Sequence, residues 1–279
     1  MIFAGNKIIL ATKHKKEKVI KPIFENNLGC KVIVPTDFDT DEFGTFTGEI
    51  ERLLPPAEMV IKKAQSAMDK YHVDYAIASE GSFGPHPLIP FSPLNHELLA
   101  FVDRKTGLNI TVVENTTDTN YGFYEVSKEE PIDAYLEQLK FPSHGIIVRA
   151  LFPEKVVAKG VHSFEELTKS ITLAFNISPE GIRLESDMRA MHNPTRMRVI
   201  EKLSFNLVER IKSLCPRCQV YGFGKLVQKG NLPCEYCDMP TQLYNHFNKC
   251  CIQCDYFVIQ SRTDGLTKAP QTYCQLCNP

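Results

Sequence analysis

No stretch of this chain approaches the roughly 20 consecutive apolar residues that cross a bilayer, so no membrane partner is expected. The longest apolar run near the start, residues 8–12, follows Asn6 and Lys7. It lacks the charged, apolar and small-residue regions of a secretory signal, so a cytoplasmic location is expected. An excess of one charge is also missing. Lys and Arg number 32 against 33 Asp and Glu, a net charge of −1, so a nucleic-acid or acidic-membrane partner would need a local patch. The 15 Gly and 18 Pro are scattered without a biased tract, which excludes collagen-like, coiled-coil and mainly disordered chains. Cysteine is almost absent from the first two hundred residues, where Cys30 stands alone. The other nine lie between Cys215 and Cys277, and in a reducing compartment such clustering reads as metal ligation.

At 279 residues, 43% of them hydrophobic, the chain is long enough for about two domains. Residues 7–11 read as a strand, 15–26 as a helix and 31–34 as a second strand, the opening βαβ pattern of an α/β domain. Residues 56–71 place Ala57, Val60, Ile61, Ala64, Ala67 and Met68 on one helical face behind paired prolines. A short strand at 74–78, a hairpin of 97–103 with 109–113, a helix at 131–139, a strand at 145–150 and a helix at 164–175 follow. In the segment Ser186-Asp187-Met188-Arg189-Ala190-Met191-His192-Asn193-Pro194-Thr195-Arg196-Met197, Asn193 can cap a helix with Pro194 at its first position. The expected fold is α/β: a mixed, mostly parallel sheet with flanking helices in residues 1–180, a connecting segment and helix at 181–214, and a small double zinc-ribbon domain at 215–279.

The tail carries the strongest motif. Cys215-Pro-Arg-Cys218 precedes Cys234-Glu-Tyr-Cys237 by fifteen residues, and Cys251-Ile-Gln-Cys254 precedes Cys274-Gln-Leu-Cys277 by nineteen. Each C-x-x-C turn aims two thiolates at one ion, and two turns complete the four-sulfur tetrahedron that Zn²⁺ favours. The spacing therefore predicts two structural zinc ions in two sequential ribbons, with Cys250 left over. Ligation of Cys234 and Cys237 by His246 and Cys250 is the alternative assignment. A closed four-sulfur shell leaves no open coordination position, so catalysis is expected elsewhere. The cations Arg217, Lys225, Lys229, Lys249, Arg262 and Lys268 are outweighed once eight thiolates bind two zinc ions. Docking of protein is thus favoured over nucleic acid, although Tyr221, Phe223, Tyr236, Tyr244, Phe247, Tyr256 and Phe257 could stack on bases.

Polar segments that follow predicted strands are the candidate ligand sites of an open α/β sheet. In residues 11–17, Thr12, Lys13, His14 and Lys15 at a helix start could hold a phosphate. Residues 37–49 mimic a calcium loop at its early positions, but Glu42 and Gly48 stand where glycine and a bidentate carboxylate are needed, so that reading is rejected. In residues 78–87, the glycines around Ser82 allow close backbone approach, and Glu80 sits at a strand end where a metal-binding or basic carboxylate is usual. Residues 114–122 offer hydroxyl and amide groups for polar recognition.

The series L-A-T-K-H-K-K-E, T-G-E-I-E-R, P-A-E-M-V-I-K-K-A and A-I-A-S-E-G-S-F-G, over about the first ninety residues, resembles the inosine-triphosphate pyrophosphatase superfamily. The whole chain, with D-M-R-A-M-H-N-P-T-R-M, C-P-R-C and L-P-C-E-Y-C, looks like a bacterial family of uncharacterised proteins with this same tail. The first resemblance implies that Glu80 with Glu49 or Glu51 binds Mg²⁺, which would polarise a phosphoryl oxygen and position water. Thr12, Lys13 and Lys15 would hold phosphate oxygens and Arg52 would offset charge on the leaving group. The expected function is a metal-assisted hydrolase of a nucleotide or other phosphate ester. The competing reading is a non-enzymatic adaptor, with a small-anion site in the α/β part and ribbons that dock protein or nucleic acid.

Overall fold

The structure, a computed structural model, describes residues 3–40, 54–87, 89 and 91–279. The chain divides into two compact units, Met1–Leu207 and Val208–Pro279.

In the first unit, β1 (Lys7–Ala11) is buried at four of its five positions and leads into α1 (Glu17–Leu28) and β2 (Lys31–Ile33). Gly29 closes α1 with φ 69°, a left-handed cap whose N–H donates to the Glu25 carbonyl. Pro56 at the first turn opens α2 (Pro56–Tyr71). Its apolar face, Val60, Ala64, Ala67 and Met68, packs on Ile9, Ala11, Ala76, Ala78, Ala100 and Val102 of the sheet. β3 (Tyr75–Pro85), β4 (Pro93–Asp103) and β5 (Leu108–Thr116) complete a sheet of order β2-β1-β3-β4-β5. The α/β class with flanking helices is as expected, but the strand directions correct the mostly parallel sheet. Among the described residues of this sheet, β1 pairs in parallel with β2 and with β3, whereas β3–β4 and β4–β5 are antiparallel. The physical reason lies in the connections: a helix can carry the chain back for a parallel strand, while a short turn such as 104–107 admits only a hairpin.

A second, wholly antiparallel sheet has order β6-β9-β7-β8. It comprises β6 (Phe123–Val126), β7 (Ile146–Leu151), β8 (Glu154–Val161) and β9 (Ile182–Ser186). The helices α3 (Asp133–Gln138) and α4 (Phe164–Ile177) accompany it, and Leu136, Leu139, Val148, Leu167, Ala174 and Leu184 share its core. Sequence periodicity missed β6, β8 and β9. β6 is four residues long, and β8 holds half-buried apolar residues on both faces, so neither alternates clearly. α5 (Pro194–Lys212) follows.

In the second unit, β10 (Lys225–Lys229), β11 (His246–Cys250) and β12 (Phe257–Ser261) form a small antiparallel sheet. Its only clustered apolar core is Phe223 beside Cys215 and Cys251, among the described residues. So small a core needs a staple.

Candidate functional site

β1 stops at Ala11, opposite Ala78, but β3 runs on to Pro85. The β3 segment Ser79-Glu80-Gly81 therefore extends past its parallel neighbour, at the carboxyl end of β1 where open sheets bind ligands. The sequence reading ends the strand at 78 and puts Glu80 at its end; the strand instead continues through Glu80 and Ser82, because β4 supplies partners along its whole length.

Five ionisable side chains meet around this edge. Glu80 lies opposite Leu98, and Gly81 lies opposite Glu97, so strand alternation sends the two carboxylates to opposite faces. On the face covered by α2, Lys63 forms a buried ion pair with Glu80. On the other face, Arg196 from the first turn of α5 grips Glu97 with two bonds, Nε to Oε2 at 2.9 Å and Nη2 to Oε1 at 3.0 Å. Arg196 Nη1 also donates to the Met188 carbonyl at 2.5 Å, and the guanidinium lies 5.2 Å from the centre of the Phe83 ring. Lys16, just before α1, donates to Ser79 Oγ at 2.8 Å and sits 3.6 Å from Glu97 Oε1. Burial pushes the Lys16 amine down to about 7, assisted by Arg196 and Lys63 and opposed by Glu97 and Glu80. Near neutral pH this amine can therefore hold or release a proton. Buried ion pairs rarely stabilise a fold more than apolar side chains of similar size would. Charged groups on both faces of one strand edge, Lys63 with Glu80 on one and Lys16 with Glu97 and Arg196 on the other, with one strongly perturbed amine, instead mark a functional-site candidate.

The loop before α1 is bent unusually. His14 and Lys15 both have positive φ, 66° and 60°, a left-handed region that costs non-glycine residues free energy and clusters at binding sites. Successive left-handed and helical residues turn backbone N–H groups inward, a concavity suited to anions. Among the residues named from the sequence, Thr12 is buried and donates to the Lys13 carbonyl at 3.0 Å. Lys13 pairs with Asp39 at 2.8 Å on the surface. Ser82 lies on β3 opposite His96. Glu49, Glu51 and Arg52 fall outside the described residues.

Lys63 and Glu97 escaped the sequence reading, whereas Lys16 and Ser79 lie inside its candidate segments 11–17 and 78–87 and Arg196 stood beside Arg183, Arg189 and Arg198 as a weaker anion-site alternative. A signal existed for Lys63, which occupies the apolar face of α2 between Val60 and Ala64, a position where an exposed lysine has no place. Glu97 likewise opens the buried run of β4.

The segment before α5 fixes Arg196. Asn193 caps the helix as expected, its Oδ1 accepting from the Arg196 N–H at 2.9 Å. Its Nδ2 donates to Asn120 Oδ1 at 2.8 Å. Nearby, His162 and His192 share a ring-to-ring hydrogen bond of 2.9 Å, packed so closely on Gly145 and Gly160 that a Cβ on either glycine would strike the rings.

The second unit holds two four-cysteine groups, Cys215, Cys218, Cys251 and Cys254, and Cys234, Cys237, Cys274 and Cys277. This corrects the expected sequential ribbons: the first C-x-x-C turn joins the third, and the second joins the fourth. Cys250 belongs to neither group, and His246 starts β11, so the mixed-ligand alternative falls. Sulfur separations of 3.8 Å (Cys215–Cys254), 3.7 Å (Cys218–Cys251) and 3.6 Å (Cys237–Cys274) exclude disulfides. They match the ~3.8 Å edge of a tetrahedron with Zn–S bonds of about 2.3 Å. Backbone N–H groups of Tyr236 and Gln253 donate to Cys234 and Cys251 Sγ at 3.5 and 3.3 Å, as thiolates require. The two groups fit two structural zinc ions. Interleaving has a physical basis, since β10, β11 and β12 bring residues 215–224 beside 250–256, with the Gly224 N–H bonded to the Cys250 carbonyl.

Among the described residues no helix is long and apolar enough to cross a membrane. The family model that matches the chain is "Domain of unknown function (DUF6671)", over residues 63–279. No curated protein matches. A solved structure that is similar is protein VC0702 from Vibrio cholerae, at 8% identity and a TM-score of 0.35, covering 75% of this chain and 97% of that chain.

Proposed function

We propose that this chain, which belongs to the DUF6671 family, binds and hydrolyses a nucleotide or other phosphate ester at the open β3 edge. The observation that carries this reading is the convergence of Lys16, Lys63 and Arg196 on Ser79, Glu80 and Glu97 beside a left-handed loop. Phosphate oxygens would draw on the backbone N–H groups of residues 14–17 and on the Lys16 ammonium, which an incoming anion would hold protonated. Ser79 and Glu97 orient Lys16, so its ammonium meets the substrate already positioned, while the fully buried Arg196 acts only by holding Glu97 and Lys63 by holding Glu80. Magnesium belongs to this reading as the usual companion of polyphosphates; of the carboxylates named for it, Glu80 lies within the described residues. Arg52, Glu49 and Glu51 are carried as sequence-derived members of the site.

The test is release of phosphate or pyrophosphate from a panel of nucleotides and phosphate esters with Mg²⁺. Turnover by the full chain, reduced at least a hundredfold in Glu80→Gln and in Lys16→Met, supports the reading. Tight nucleotide binding without turnover would transfer it to the adaptor class, and neither binding nor turnover would remove the phosphate site altogether.

A further inference from the structure

The two zinc centres are built alike and finished differently. In each C-x-x-C turn the residue before the second cysteine lies at the tip. In the first centre these are Arg217, paired with Asp255, and the exposed Gln253. In the second they are Tyr236 and Leu276, 76% and 68% exposed. Met239, just after one turn, and Tyr273, just before the other, are 50% and 51% exposed. The four thiolates of this centre lie within 4.8 Å of one another, so all four apolar side chains belong to sequence neighbours of one small cluster. Single exposed apolar residues are ordinary; a group of large ones around one rigid centre is the signature of an interaction site.

Charge decides what that site can take. Four thiolates around Zn²⁺ leave two negative charges, and the exposed Glu235 adds another. Asp238 is offset by Lys268 at 2.7 Å. An anionic apolar tip repels phosphate chains and attracts cations. We propose that the second zinc centre docks a protein segment that presents an apolar side chain flanked by lysine or arginine. Tyr236 and Leu276 form the apolar contact, with the anionic centre and Glu235 beside it. Zinc acts here as a clamp that fixes two short turns, so little chain entropy is lost on binding.

The proposal is tested with random twelve-residue peptides displayed on phage and selected against the zinc-loaded full chain. Enriched peptides should combine Leu, Phe or Trp with Lys or Arg, and a synthetic copy should bind more weakly as salt rises. Tyr236→Ser and Leu276→Ser should each weaken that peptide at least tenfold while keeping two zinc ions per chain; Arg217→Ser should leave it unchanged. Enrichment of acidic peptides, no enrichment, or equal binding by Tyr236→Ser would overturn the proposal. So would a concentration-dependent dimer, or binding of a labelled oligonucleotide, that Tyr236→Ser abolishes, since these would assign the patch to a second copy or to nucleic acid.

Discussion

Gly81 leaves the space in which the Glu97–Arg196 pair sits. A Cβ at this position would overlap the Glu97 carboxylate and the Arg196 guanidinium, both fully buried. Gly81→Ala should therefore force the pair apart and cost about 3 kcal/mol, read from the urea midpoint against a control such as Gly84→Ala, where the added Cβ meets nothing within 4 Å. Lys16 makes a separate statement about pH. Its folded amine titrates at about 7 against 10.5 for an ordinary lysine, so between those values the unfolded chain binds more protons and stability rises with pH. Below about 7 both states are protonated and the cost of burying the charge is fully present. Urea midpoints from pH 6 to 10 should show the protein gaining stability relative to Lys16→Met as pH passes 7; parallel curves would contradict the burial account. These residues were hard to read from sequence because charge patterns mark the surface by default. Thr12, Lys13 and Lys15 stood out as a polar loop, yet Lys16, one residue on, is the amine that turns inward.

At the scale of elements, the N-terminal end of α5 holds Arg196 in place. Asn193 is fully buried, caps the helix and bonds Asn120. Asn193→Ala should cost about 2 kcal/mol, a lost cap plus an unpaired buried amide. Asn193→Ser should recover part of this in thermal unfolding, because a serine can still cap. The cap, Pro194, and α2 over Pro56–Tyr71 were legible in the sequence, since they depend on neighbours a few residues apart. The sheet was less so. β3 and β4 owe their length to pairing with each other, and a strand's partner is set by distant residues that local periodicity does not encode. The same holds for the zinc turns: their four C-x-x-C spacings identify the ligands, whereas which turn meets which depends on β10–β11–β12 pairing.

At the scale of the molecule, interleaved zinc ligation makes a count that sequential ribbons would not. Cys218 and Cys254 share one centre. Cys218→Ser, Cys254→Ser and the double variant should each keep one zinc ion per chain, measured by atomic emission; with sequential ribbons the double variant would lose both. The eight ligands were legible as chemistry, but the catalytic reading of the first unit draws on parts that come together only in three dimensions: the loop before α1, then α2, β3, β4 and α5, each contribute one charged group. The claim that this convergence is a phosphate site is met most directly by following the Lys16 side chain through a pH titration by NMR, with and without saturating magnesium pyrophosphate. The free protein should titrate near pH 7, and pyrophosphate should raise that midpoint by about one unit or more, because a bound anion favours the ammonium. A midpoint that starts at the ordinary lysine value, or that pyrophosphate does not move, would contradict the account.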